Sequence, residues 1–381
     1  MPHLLAQQDR SGPGAVRWPQ RGRLARTVLT RSTLAQLYRQ FGEADAAGTS
    51  PLYERVAVAV SESADALRAI EAAPARKRHP AVILAALHDL ALAGRAPALA
   101  AAYAAADDEA AADAAIDTLV RMADSVAAIS VSRQARAHET GQGPVLYPAI
   151  AEAARRTGAN AVGLIDVGCS AGFNLTVDRV GITYSNGQSL GDPLSPVQQS
   201  ASIAGGRPVP ARAMPEVVAR VGVDLDPLDV TDANDARWLR ACLCPDQPER
   251  MARLEAEIAL TATAAPVLLH GDTVEVMPDA FACVPADALP VVTTTWALSR
   301  LPLESRLRFL HRLDKAAAGR AVAWVSAEGV GVAPAIPTLG DRRASGHSII
   351  GLAVFDQSVL RGEAIRRCWS RGRFLAWLAD S

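Results

Sequence analysis

The sequence predicts an α/β fold in which an all-helical N-terminal domain precedes a mostly parallel β-sheet with an antiparallel hairpin at its edge. Up to about residue 157, Leu, Ile and Val recur at steps of three and four residues in Ala-rich segments, which is the period of amphipathic helices. Beyond residue 160, short apolar runs alternate with helical stretches, as in parallel strands joined by crossover helices. One of these runs ends in an acid and a glycine-containing turn, a common place for a ligand in such sheets.

The N-terminal part divides into a basic arm and a helical domain. Residues 1–26 carry five arginines among Gly, Pro and Gln without apolar periodicity, so we expect a flexible arm. Residues 27–157 are predicted to be helical because alanine favours the helix and apolar residues keep the helical period. The clearest segments are Val56–Ile70, Ala81–Ala93 and Glu109–Ile129.

The predicted α/β domain covers residues 158–381. Its expected parallel strands are Val162–Val167, Val218–Leu225, Val267–His270, Pro290–Thr295 and Ala321–Ser326. The helices expected between them are Ala171–Val180, Ala233–Leu243, Pro248–Thr261, Pro278–Val284 and Leu303–Ala318. Two final strands, His347–Phe355 and Gly372–Leu378, are expected to form the edge hairpin. Asn186-Gly187 predicts a small β-hairpin, laid over the sheet, in an insertion at about 182–215.

Composition argues against several classes of protein. A formal net charge of -1 over 381 residues gives no general attraction for nucleic acid or anionic membranes. No apolar run reaches the roughly 18 residues of a membrane helix, and the N-terminus lacks the pattern of a secretory signal, so we expect a cytoplasmic protein. The five cysteines include no Cys-x-x-Cys pair, so the sequence predicts neither a disulfide framework nor a metal site.

The run Leu164–Leu175 places a Gly-x-Ser-x-Gly turn directly after an apolar strand that ends in Asp166. In a cofactor-binding sheet, Gly168, Ser170 and Gly172 would form a cradle for a small ligand, with Asp166 as its anchor. A dinucleotide is not expected, because its fingerprint requires further glycines where this chain has Ser170 and, three residues on, a phenylalanine.

Ser170 also fits the nucleophile elbow of an α/β-hydrolase, which raises a serine on a tight strand-to-helix turn. The acid would be Asp272 or Asp287 and the histidine His347, in the chain order Ser, Asp, His. Hydrolases of this fold place several strands before the elbow, whereas this turn follows the first predicted strand. The cofactor cradle is therefore favoured, and the hydrolase stays as an alternative.

The sequence Asp166-Val-Gly168-Cys-Ser170-Ala-Gly172 resembles the first motif of the Rossmann-like S-adenosylmethionine-dependent methyltransferases, with serine where glycine is usual. The resemblance implies S-adenosylmethionine as the cofactor, with Asp166 accepting hydrogen bonds from its ammonium group. Because this ligand carries no phosphates, a small side chain at Ser170 is compatible with the motif.

Three later segments resemble the same family in the same order: Gly222–Asp226, His270–Pro278 and Val291–Pro302. They look like the ends of the second, third and fourth strands. The resemblance implies that Asp224 binds the ribose hydroxyls by charge-assisted hydrogen bonds. It places Asp272, with Thr273 beside it, near the adenine, and Thr295 near the methionine moiety and the substrate.

From about residue 30 onward, the chain is similar to an uncharacterised bacterial family with a methyltransferase-like core. The stretches that carry the similarity are Ser50–Glu54, Asp224–Asp232, Ala236–Arg240 and Ala323–Glu328. This similarity implies the fold and the cofactor and names no substrate.

Four residues are candidates for the substrate site: Asn174, Trp296, Glu328 and His138. The sequence therefore predicts an S-adenosylmethionine-dependent methyltransferase whose acceptor is unknown, with a small molecule favoured over nucleic acid. Methyl transfer needs the acceptor held in line with the sulfonium rather than an obligatory catalytic residue. A non-catalytic S-adenosylmethionine-binding or interaction protein is accordingly a second alternative, beside the Ser170 hydrolase.

Overall fold

The computed structural model describes residues 31–136, 142–356 and 359–378. The chain forms two compact units. Of the described residues, the helical unit comprises 31–136 and 233–252, and the sheet unit comprises 142–232, 253–356 and 359–378. The predicted basic arm, residues 1–26, lies outside the described residues.

The helical unit is built from short helices, numbered here in chain order through both units. They are α1 (Arg31–Gln40), α2 (Pro51–Glu62), α3 (Ala64–Ile70), α4 (Pro80–Leu92), α5 (Pro97–Ala105), α6 (Asp108–Arg121), α7 (Ala123–Ser132) and α9 (Ala233–Ala241), with a π-helix at Phe41–Ala46. Side-chain oxygens of Ser50, Ser63 and Asp107 accept backbone N–H bonds at the starts of α2, α3 and α6. Residues 31–132 contain no strand, as the sequence predicts.

The sequence predicts α9 as a crossover helix of the sheet. In the structure, α9 packs within the helical unit instead. Trp238 is buried there, and its indole N–H donates to the carbonyl oxygen of Gln134 at 3.0 Å. Arg237 Nε lies 2.8 Å from Asp89 Oδ1. The next helix, α10 (Pro248–Ala264), begins in the helical unit and ends in the sheet unit. Periodicity identifies a helix but not the surface against which it packs.

The sheet unit contains one mixed sheet. Its strands are β1 (Ala161–Val167), β2 (Gly181–Tyr184), β3 (Ser189–Gly191), β4 (Gln198–Ile203), β5 (Glu216–Asp224), β6 (Val267–His270), β7 (Leu289–Thr295), β8 (Val322–Gly329), β9 (Ser348–Asp356), β10 (Val359–Trp369) and β11 (Phe374–Trp377). Their order across the sheet is β3-β2-β4-β11-β10-β9-β8-β7-β1-β5-β6. All neighbours from β8 to β6 are parallel, whereas β9, β10 and β11 run antiparallel to their predecessors.

Helices cover both faces of the parallel part. On one face, α8 (Gly143–Thr157) buries Val145, Leu146 and Ile150 in a core shared with β1, β7 and β8. On the other face, α11 (Met277–Ala282) and α12 (Leu303–Ala316) pack against the same strands. The sequence assigned residues up to 157 to the helical domain, but the structure places α8 in the sheet unit.

Three elements of the sheet unit differ from expectation. The predicted hairpin at 182–215 forms, as β2 and β3 around Gly187, but it extends the edge of the sheet instead of lying over it. The predicted terminal hairpin contains an additional strand, β10, between β9 and β11. The helix expected at Ala171–Val180 is a short 3-10 helix, Phe173–Arg179.

Within the described ranges, no single helix is both long and apolar enough to span a membrane, although the bent pair α4 and α5 reaches that length and composition jointly.

Candidate functional site

The turn that follows β1 is held in an unusual backbone conformation. Gly168, Ser170 and Gly172 all have positive φ angles, of 77°, 54° and 78°. Glycine adopts this region freely, whereas a side chain there is strained. A Cβ atom on Gly168 would lie 2.9 Å from the Cβ of Ala297, in the loop after β7. Glycine is therefore required at position 168 both by the positive φ and by the close approach of Ala297. Ser170 has a backbone conformation that favours glycine.

Asp224, at the end of β5, ties this turn to the sheet. Its Oδ2 accepts the backbone N–H of Ser170 at 3.0 Å, and its Oδ1 accepts that of Asp226 at 3.0 Å. The backbone N–H of Leu228 donates to the carbonyl oxygen of Ser170 at 2.9 Å. The carboxylate is buried. Asp224 thus fixes the backbone of the positive-φ serine.

Asp166, at the end of β1, is fully buried and hydrogen-bonded through both oxygens. Oδ1 accepts the hydroxyl of Thr293 at 2.7 Å, and Oδ2 accepts the side-chain amide of Asn174 at 3.2 Å. The same amide donates to Thr295 Oγ1 at 3.2 Å. Burial raises the pKa of Asp166 to about 7, against the opposing effect of these two hydrogen bonds. The carboxyl is therefore poised to gain or lose a proton near neutral pH.

Glu328, at the end of β8, holds the loop after β7. Its Oε1 accepts the backbone N–H groups of Ala297 at 3.0 Å and Leu298 at 2.9 Å. Burial raises the pKa of Glu328 to about 7, and the backbone hydrogen bonds act in the opposite direction. In this loop Trp296 has a φ of 52°, and its indole N–H donates to Ser348 Oγ at 2.8 Å. Glu328 is thus a buried anchor for the loop that carries Trp296.

The remaining predicted residues lie at the periphery of this group or outside it. Asp272 is exposed after β6, and its Oδ1 accepts the backbone N–H groups of Val274 and Glu275 in its own loop. Thr273, beside it, is half-buried. The loop is joined to β5 by a bond from the N–H of Gly271 to the carbonyl oxygen of Asp224, at 3.0 Å. His138 lies outside the described residues.

The structure brings together Asp166, Asn174 and Thr295, which the sequence singled out, and adds Thr293. Thr293 pairs in register with Asp166 across neighbouring strands and lies two residues before Thr295, so both threonines share its face. The two-residue spacing of Thr293 and Thr295 in a predicted strand therefore indicates that both side chains lie on one face. The half-buried side chains of Ser170, Asn174, Thr295 and Trp296 form the accessible rim of this site.

The strand order gives the site its place in the sheet. Numbered by their order along the chain, the five parallel strands from β6 to β8 read 3-2-1-4-5. Successive connections therefore change direction at β1, between β5 and β7. Ligands of open α/β sheets bind at such a reversal, outside the carboxyl ends of the strands. Asp166, Asp224 and Thr295 all lie at those ends.

The residues proposed for a hydrolase do not converge on Ser170. His347 Nε2 lies 2.9 Å from Asp341 Oδ2, and His347 precedes β9, which β7 and β8 separate from β1. Three strand spacings amount to about 14 Å, well beyond a hydrogen bond. Asp287 precedes β7 and so lies at the opposite end of the parallel strands from Ser170.

Comparison with known proteins assigns the chain to a family. Residues 35–377 match the sequence profile of the family described as "Uncharacterized protein conserved in bacteria (DUF2332)". The chain belongs to this bacterial family. No curated protein and no solved structure matches the chain. The DUF2332 match takes in parts of both units and every site residue described above.

Proposed function

We propose that this protein is an S-adenosylmethionine-dependent methyltransferase whose cofactor binds at the carboxyl ends of β1, β5 and β7. The observation that carries the proposal is the positive-φ turn Gly168–Gly172, which lies where the strand order reverses and is joined to the acid at the end of β5. A crevice at this point is the usual ligand site of an open α/β sheet.

The hydrogen-bonding groups of the turn favour a ligand without phosphates. The backbone N–H of Gly168 already donates to the carbonyl oxygen of Val223 at 2.7 Å, and that of Ser170 donates to Asp224. The following helix is a short 3-10 helix. The turn therefore differs from the phosphate-binding loops, which direct free N–H groups and an α-helix N-terminus at an anion.

The acids at the site are complementary to a cationic ligand that also carries hydroxyl groups. S-adenosylmethionine has an ammonium group and a ribose diol, both of which donate hydrogen bonds to carboxylates. Asp166 and Asp224 occupy the ends of adjacent strands, and a carboxylate oxygen can accept more than one hydrogen bond. The residues present thus fit this cofactor: Asp166 with Asn174 toward the methionine end, and Asp224 toward the ribose.

When bound, the cofactor supplies an electrophilic methyl group. The protein's own contribution is to hold an acceptor in line with that group. Thr295 and Trp296 follow directly in the chain at the carboxyl end of β7, and both are half-buried, so they are placed to contact an acceptor. Asp272 and Thr273, at the loop after β6, are the proposed neighbours of the adenine.

Calorimetric titration with S-adenosylmethionine and S-adenosylhomocysteine tests the proposal. We expect one site per chain for each ligand and at least tenfold weaker binding in Asp224→Asn, because the variant lacks the carboxylate charge. Asp229→Asn is the matched control, since Asp229 is exposed in the same segment and its Oδ1 accepts the N–H and the hydroxyl of Thr231. Its affinity should be unchanged.

Absence of binding of either ligand to the folded wild-type protein would refute the proposal. A non-catalytic binding protein would use the same residues, and it would bind both ligands without consuming S-adenosylmethionine in the presence of candidate acceptors. A hydrolase would instead show labelling by a serine-directed probe that disappears in Ser170→Ala.

A further inference from the structure

A second buried ionisable group lies away from the cofactor turn, in the antiparallel part of the sheet. Arg366, on β10, has no exposed surface, and its guanidinium carbon lies 3.8 Å from the centre of the Trp377 ring. Its Nη1 donates to the carbonyl oxygen of Pro144 at 3.0 Å. Nε and Nη2 of Arg366 and the indole N–H of Trp377 are buried without an acceptor in the part of the chain that the structure describes.

The two unused nitrogens of Arg366 form one edge of the planar guanidinium. Nε–H and Nη2–H point in the same direction and can bind two oxygens of one group as a fork. Other arginines of this chain use that edge on a carboxylate, with N to O distances from 2.7 to 3.3 Å: Arg55 on Glu109, Arg155 on Glu152 and Arg367 on Asp341. Arg366 carries the same edge, and no carboxylate of the described residues binds it.

The guanidinium of Arg366 lies near the N-terminal end of α8. Pro144 is in the first turn of α8, a helix of 15 residues, and the N-terminal end of a helix carries partial positive charge. Burial lowers the pKa of Arg366 to about 10, so the guanidinium is still charged at neutral pH. Its near neighbours are neutral: Tyr184, whose hydroxyl donates to the same Pro144 carbonyl at 3.0 Å, and Trp377. The Trp377 ring and the Pro144 carbonyl stabilise part of this buried charge. The two N–H donors without an acceptor are what an anion would satisfy.

We propose that Arg366 and Trp377 bind an anion with two oxygens on one centre, a phosphate or a carboxylate. The anion would accept Nε–H and Nη2–H of Arg366 as a fork and lie at the positive end of α8. This site is separate from the cofactor turn. Thr295, Ala327, Ile350 and Arg366 pair in one row across β7, β8, β9 and β10, so three strand spacings, about 14 Å, separate Thr295 from Arg366.

Thermal melting in inorganic phosphate and in acetate, against chloride at equal ionic strength and pH 7.5, tests this proposal. A ligand that binds only the folded state raises the melting temperature with its concentration. We expect a saturable rise of several degrees in the melting temperature with at least one of the two anions. The anion that gives the larger rise identifies phosphate or carboxylate as the preferred group.

Arg366→Met removes the fork while keeping an unbranched apolar side chain, and it should abolish the anion response. Arg367→Met is the matched control, because Arg367 is the adjacent residue of β10 with its edge already on Asp341, and it should keep the response. If Arg366→Met fails to fold, Arg366→Lys retains the charge without the fork and should need at least tenfold more anion for the same shift. No shift in wild type with either anion, or an equal shift in the Arg366 variant that folds, would overturn the proposal.

Discussion

Asp166 and Arg366 are both fully buried in the sheet unit, but their surroundings differ. At the end of β1, both oxygens of Asp166 accept hydrogen bonds from the chain's own Thr293 and Asn174. In β10, Arg366 directs one of its three nitrogens at the carbonyl of Pro144. Both oxygens of the carboxyl already have a donor within the chain, whereas two nitrogens of the guanidinium have no acceptor among the described residues. Burial alone therefore does not define a site, and the partners decide its chemistry.

The largest expected effect is the pH dependence of the free energy of unfolding that Asp166 causes. In the folded protein the pKa of Asp166 is about 7, above its ordinary value of 3.8, so folding takes up a proton between those values. The wild-type protein should lose stability as pH rises from about 4 to about 7. Asp166→Asn cannot ionise, so its stability relative to wild type should increase over that window, by at most about 4 kcal/mol.

Chemical unfolding of both proteins at pH 5 and pH 8 measures the part of this change that lies above pH 5, about 3 kcal/mol. Effects of other titrating groups cancel in the difference between variant and wild type. A difference that is the same at both pH values would show that Asp166 is not a buried carboxyl with a raised pKa.

The next effect concerns the turn itself. Gly168→Ala should destabilise the protein by about 2–4 kcal/mol, because it adds left-handed strain and a contact with Ala297. Gly331→Ala is the matched control, with a φ of 73° and nothing within 4 Å of the added Cβ. It should cost about 1–2 kcal/mol. Urea denaturation measures both, and equal costs would mean that close approach to the β7 loop does not constrain Gly168.

A smaller effect separates hydrogen bonding from charge at Glu328. Glu328→Gln keeps an oxygen for the backbone N–H groups of Ala297 and Leu298, whereas Glu328→Ala leaves them unpaired. At pH 6 we expect the alanine variant to lose about 2 kcal/mol more than the glutamine variant. Unfolding midpoints in denaturant measure the difference. Equal losses would indicate that Glu328 does not support the loop through these bonds.

Much of the parallel part of the sheet follows from the sequence. The runs at β1, β5, β6, β7 and β8 are rich in Val, Ile, Leu and Thr and are bounded by polar segments, because strands covered on both faces need continuous apolar residues. By contrast, β10 contains Arg361, Glu363, Arg366 and Arg367, and these charges obscure the period of a strand. Their sheet position depends on partners distant in sequence, such as Asp341 and Trp377.

The candidate site also contains residues that the sequence predicts and residues that it does not. Its acids and glycines can be predicted, since strand ends and positive-φ turns have characteristic residues. The role of Glu328 could not be predicted from the sequence, because its bonds to the loop at Ala297 depend on the packing of β7 beside β8. Likewise, nothing local indicates that α8 belongs to the sheet unit or α9 to the helical unit. Amphipathic patterns report a buried face and leave its partner open.

Amide hydrogen exchange with and without S-adenosylhomocysteine tests most directly the proposed S-adenosylmethionine site at the turn after β1. We expect slower exchange in peptides covering residues 166–176, 222–228 and 293–299, with no change in peptides covering β10. Ligand-dependent protection confined to other parts of the chain, or no protection at saturating ligand, would contradict it.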